Sequence, residues 1–113
     1  MDANTINPQL VLASRSPRRK ELLTQMGLTF HTASVLVEEI PMEGEVAESY
    51  VLRVALDKAR AGWSLDGEAM DLPVLGSDTA VVVDGEILGK PKDAEDSARM
   101  LELLSGRTHE VYT

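Results

Sequence analysis

Three groups of side chains in this sequence have the types and spacing to do chemistry. Asp78 stands in LGSDTAVVV between two apolar runs, so its carboxylate is either desolvated or aimed at a strand end, where open α/β sheets bind ligands. Gly76 permits close backbone approach, while Ser77 and Thr79 set hydroxyls beside the carboxylate. The competing reading is that Asp78 only ends a strand and bonds the next turn. Glu38 and Glu39 form a second acidic group, of a kind more often solvated than functional. The third group is cationic: four of the eleven Lys and Arg residues fall within Arg15–Lys20 in a chain of net charge −8. Lys90, in GKPKD, reads equally as a phosphate clamp and as a surface lysine, and the default for Lys58 is a surface lysine that complements its helix dipole.

Asp78 and Glu39 are hard-base acids, which suit Mg²⁺ or Mn²⁺ held through one or two carboxylates plus substrate phosphates. With Arg18, Arg19, Lys58 and Lys90 they fit hydrolysis of a phosphoanhydride: metal and cations absorb charge on the phosphates while an acid activates water. His31 and His109 have no companion at metal-ligand spacing, which argues against zinc. No GxxxxGK[ST] loop, GxGxxG fingerprint or GxSxG elbow occurs.

These groups need elements to position them. Leu10–Leu12 reads as a buried strand, Ser16 as a helix N-cap followed by Pro17, and Leu22, Leu23 and Met26 as the apolar stripe of a helix that stops at Gly27. The Ser14, Arg15 and Ser16 hydroxyls and amides then lie at a helix start, where an anion is favoured and where Arg18 and Arg19 are out of place without one. Residues 28–37 predict a second strand and residues 40–44 a turn. Residues 45–63 predict an amphipathic helix with Val46, Tyr50, Val54, Ala55 and Ala59 on one face. Residues 62–71 read as a polar connection. Strands follow at 72–75, 80–83 and 86–88, the last two joined by an Asp84-Gly85 type I′ turn. Asp93 caps a helix through Leu104, with Asp96 near its third position and Gly106 at its stop. Residues 109–113 open a final strand that ends too soon to do much for a sheet. The order β-α-β-α-β-β-β-α-β predicts an α/β fold, a mixed twisted sheet with flanking helices.

The 113 residues suffice for at most one domain with a modest core. Hydrophobic residues at 43% and charged residues at 27% are ordinary for a soluble globular protein. No apolar run approaches membrane-spanning length, the N-terminus lacks signal-peptide character, and the absence of Cys is compatible with the cytoplasm. The acidic balance argues against a general nucleic-acid binder.

Taken in order, ASRSPRRKELL, the EE pair, LGSDT with the DGEILGKP hairpin, and LSGRTHEVYT closely resemble the Maf family of nucleotide pyrophosphatases, from about Leu10 to Thr113. The resemblance implies a Maf/ITPase-like fold and a cytoplasmic enzyme that cleaves nucleoside triphosphates between the α and β phosphates with a divalent metal. It casts Asp78 as general base, Ser14, Arg19, Lys58 and Lys90 as phosphate contacts, and Glu39 as an acid that helps hold metal or water. Arg18 and Thr79 stand where the family varies with substrate; they look like the dTTP/UTP branch, whereas the 7-methyl-GTP branch carries Trp and Gln. The family also implies a homodimer, an association with septum formation, and a second lobe beyond HEVYT. Residues 1–113 are therefore expected to be the N-terminal part of a single Maf-like domain, truncated before that lobe. A reading from a different class is a nucleotide-sensing binding module in division control.

Overall fold

The computed structural model of the chain describes residues 7–89 and 93–113. Two compact units divide it: one comprises the described residues of Met1–Glu38 with Val54–Ser77, the other Glu39–Arg53 with Asp78–Thr113.

In the first unit Leu10–Ala13 forms β1, which is apolar at every position because both its faces are covered. It is the middle strand of a three-stranded parallel sheet of order β2-β1-β3, with β2 at Phe30–Ala33 and β3 at Val74–Gly76. Val11 and Ala13 pack with Ala33 and Val35 against Ala61, Leu72 and Val74. The alternate residue, Leu12, packs with Leu23, Phe30, Leu10 and Leu28. A parallel strand buried on both sides has no polar face to alternate with.

Helix α1 (Pro17–Gln25) links β1 to β2. Ser16 takes an extended conformation and its Oγ accepts from the Arg19 amide at 3.4 Å, while Gly27 ends the turn at φ +78°. Helix α2 (Ala47–Gly62) runs through a π-helical turn at Trp63–Gly67 into the single turn α3 (Glu68–Met70), and stops where Asp71 adopts the left-handed region at φ 53°. His31 Nε2 lies 3.1 Å from Asp66 Oδ2, tying β2 to the π turn. The second half of α2 lies close on the sheet: a Cβ at Gly62 would stand 2.8 Å from Ala13 Cβ.

The second unit holds an antiparallel sheet of order β5-β4-β6, made of β4 (Ala80–Val83), β5 (Glu86–Leu88) and β6 (Glu110–Tyr112). Asp84 at φ 50° and Gly85 at φ 77° give the hairpin turn two consecutive left-handed residues, as type I′ requires. Helix α4 (Ala94–Leu104) starts at Asp93, whose carboxylate accepts from the Asp96 amide at 2.8 Å. Arg99 bonds Glu86 of β5 and Asp96 of its own helix, each at 3.1 Å.

The α/β reading therefore holds, with the parallel and antiparallel pairings in separate sheets. Five expectations change, the first being the buried strand read at 72–75, which forms at Val74–Gly76 with Leu75 exposed. Residues 62–71 are mostly helical rather than a polar connection; at Gly62 and Gly67 the helical stretch comes close to Ala13 and Val74 of the sheet. The strand expected over 28–37 contracts to Phe30–Ala33, the residues that β1 pairs in register. Met26 and Val46 are exposed, at 70% and 63%, and stand just outside α1 and α2 rather than on their buried stripes. The final strand does find a place, pairing Ala80 with Tyr112 and Val82 with Glu110.

Candidate active site

Register decides what gathers in the first unit. Ala13 of β1 is level with Gly76 of β3, so Ser14 and Ser77 leave the carboxyl ends of adjacent parallel strands. The chain also turns away from β1 in both directions, toward β2 on one side and β3 on the other. Open α/β sheets form their ligand crevices at such reversals. Ser14 is buried and its Oγ accepts from the Ser16 amide at 3.0 Å, which bends the loop into the start of α1. From that helix the Arg19 Nε donates to Ser77 Oγ at 3.1 Å.

Lys58 comes to the same serine from α2, its Nζ donating to the Ser77 carbonyl at 3.3 Å. Gly76 makes that reach possible. A Cβ there would collide with the Ala55 carbonyl oxygen and stand 2.8 Å from the Ala59 nitrogen, so only glycine lets α2 lie against β3 here. Two cations from separate helices thus converge on one residue. Positive charge gathered at one residue favours the approach of an anion.

In the second unit Asp78 is buried, at 8% exposure, and belongs with Tyr50 of α2, itself 4% exposed. Burial, followed by the negative charges of Asp78 and Glu39, raises the Tyr50 phenol above its ordinary value. Arg53 lies over the Tyr50 ring at 5.6 Å from its centroid. It also grips Glu45 through both carboxylate oxygens, at 2.8 and 2.9 Å, and holds the Ile40 carbonyl at 3.0 Å. The Arg53 hydrogen bonds, and then the Met42 amide, pull the Glu45 carboxyl down from 4.5 to about 2. This pair fixes the loop that carries Glu39.

Of the residues expected from sequence, Arg19 and Lys58 meet at Ser77 with Ser14 on the adjoining loop, and Asp78 and Glu39 share the electrostatic surroundings of Tyr50. Glu39 is half-buried while Glu38 is exposed, which separates the two acids of the EE pair. Arg18 is exposed on the first turn of α1, and the exposed Thr79 places its Oγ1 3.2 Å from Thr113 Oγ1. Lys90 lies outside the described residues. Sequence reasoning missed Ser77 as the common acceptor and took Tyr50 for a core residue only. Adjacency to Asp78 was the one signal for Ser77; nothing in spacing links it to Arg19, 58 positions earlier. Among the described residues, an open cavity of about 610 Å³ along α4 is lined by Asp93, Glu95, Asp96, Ala98, Arg99 and Glu102.

The Maf-like protein family profile matches residues 9–113, and the chain belongs to that family. It is 54% identical over 108 residues to the dTTP/UTP pyrophosphatase of Shewanella frigidimarina, covering 91% of this chain and 55% of the relative. It is also 54% identical over 104 residues to the dTTP/UTP pyrophosphatase of Escherichia coli, covering 92% of this chain and 52% of the relative. The chain spans about half the length of these curated relatives. No helix among the described residues is long and apolar enough to cross a membrane.

Proposed function

We propose that the whole protein is a nucleoside triphosphate pyrophosphatase acting on dTTP and UTP, releasing the monophosphate and pyrophosphate. One observation carries the reading: Arg19 and Lys58 converge on Ser77 at the carboxyl ends of β1 and β3. The names of the relatives supply the substrates, and in this reading Arg18 and Thr79 are the residues that set the dTTP/UTP preference.

Ser14, Arg19 and Lys58 take the phosphates, with Lys90 as a further contact, and their charges offset the negative charge that builds on the leaving pyrophosphate. The Asp78 carboxylate accepts a proton from the attacking water as the water oxygen bonds to phosphorus and the bridging P–O bond breaks. Among the described residues no three His, Asp or Glu side chains gather to hold a metal ion. In this reading Glu39 and Asp78 would hold a divalent ion, whose kind commonly binds through one or two carboxylates plus substrate phosphates. Such an ion, Mg²⁺ or Mn²⁺, would supply Lewis-acid neutralisation of the phosphates when bound.

In the same reading the chain is the N-terminal part of a single Maf-like domain, in a cytoplasmic homodimer that binds nucleotide and not nucleic acid. Product analysis of the full-length protein with dTTP and Mg²⁺ tests the reaction. Pyrophosphate and dTMP are expected; orthophosphate would refute the bond cleaved, and preference for 7-methyl-GTP would refute the substrate branch.

A further inference from the structure

We infer that Ser77 is a positioning residue for triphosphate binding: through its side chain and its backbone it holds Arg19 and Lys58 in the geometry that receives phosphate. The inference rests on the pyrophosphatase reading above and adds to it a residue that touches no reacting atom.

Arginine and lysine side chains carry many rotamers, and ordering each one at the moment of binding takes free energy from the complex. Ser77 removes that freedom in advance by two different means. Its Oγ accepts from Arg19 Nε at 3.1 Å, which fixes the plane of the guanidinium from its inner edge. Its carbonyl oxygen accepts from Lys58 Nζ at 3.3 Å, which draws the ammonium to the same residue. The serine itself has little room to move. It follows Gly76, which is paired to β1 at Ala13 and pressed against the Ala55–Ala59 stretch of α2. Loss of the hydroxyl would remove the Ser77 bond to Arg19 while leaving the backbone contact to Lys58 in place, so the two contributions separate by mutation.

The test uses the full-length protein as wild type, Ser77→Ala, Ser77→Thr, Arg19→Gln and the Ser77→Ala/Arg19→Gln double variant. Pyrophosphate binding is measured by calorimetry and dTTP hydrolysis by initial rates. A hydrogen bond to a charged group is lost in Ser77→Ala, so affinity and kcat/KM are expected to fall about tenfold or more. Ser77→Thr, which keeps the γ-oxygen, should recover most of that loss. In the Arg19→Gln background the alanine change should have almost no further effect, since its route of action is already gone. Wild-type binding by Ser77→Ala, or an undiminished loss in the double variant, would overturn the inference. A second readout is independent of substrate. The Arg19 Nε–H resonance, identified by its disappearance in Arg19→Gln, should exchange slowly with water in the wild type and rapidly in Ser77→Ala. If it is unchanged in Ser77→Ala, Ser77 is not the anchor. If it responds as expected but the wild type hydrolyses no nucleotide, the anchor stands and the pyrophosphatase reading fails.

Discussion

Asp78 and Glu45 are both carboxylates in the same unit, and their neighbours give them different work. Asp78 is buried, and after burial itself its charge is the next cause that raises the Tyr50 phenol; in the proposed reaction it is the general base. Asp78→Asn is expected to lower kcat roughly a hundredfold or more while sparing pyrophosphate affinity, as loss of a general base does. Parallel measurement of rate and binding on the full-length variant checks this; equal losses in both would make Asp78 a binding group. Glu45 is a structural anion instead, locked to Arg53 and the Met42 amide. Its folded value of about 2 lies below its ordinary 4.5, so the stabilisation is complete above about pH 4.5 and is lost as pH falls toward 2. Wild type should therefore lose Tm more steeply than Glu45→Gln across that interval, with the two curves running parallel at higher pH. Thermal scans from pH 6 to 2 would reveal the difference.

At the scale of elements, what could be read from sequence was whatever a few adjacent residues decide. The Ser16-Pro17 start of α1, the Asp93 cap with Asp96, and the Asp84-Gly85 turn each rest on local hydrogen bonds or φ values, and each stands where the residues indicate. The helical continuation through Trp63–Gly67 did not, because Gly62 and Gly67 answer to Ala13 and Val74, which are distant in sequence. The site divides the same way. The Ser14 loop is local and legible, whereas the meeting of Arg19 and Lys58 on Ser77 exists only once β1 and β3 are paired. Gly76 shows how tightly that pairing is set. Gly76→Ala would force α2 off β3 and is expected to destabilise the protein by about 1–3 kcal/mol, the usual range for overpacking. Lys58 would move with α2, so pyrophosphate affinity should fall as well. Urea unfolding and calorimetry on the one variant measure both, and a stable variant with intact affinity would show that the contact at Gly76 is slack.

For the molecule as a whole, a net charge of −8 would turn a triphosphate away if its charges were spread evenly. The first unit instead concentrates Arg15, Arg18, Arg19 and Lys20 on one loop and helix start. The acids of α4 and its cavity stay in the other unit. The basic cluster and the acids of α4 thus fall in different units of one short chain.

The central position of β1 also has a consequence for how the protein is made. The Val11 amide bonds the Pro73 carbonyl at 2.9 Å, and Leu12 is level with Leu75. Translation reaches those partners about sixty residues after β1 has been synthesised, a delay of roughly 3–12 s at ordinary elongation rates. During that time a wholly apolar strand has β2 on one edge at best and nothing from its own chain on the other, which exposes it to capture by other unfinished chains. Ribosome-bound chains halted before Val74 should therefore exchange the Val11 amide hydrogen freely. Chains extended well beyond Gly76 should protect it. Early protection in the shorter chains would mean that β1 finds a temporary partner and that the parallel sheet is assembled by replacement.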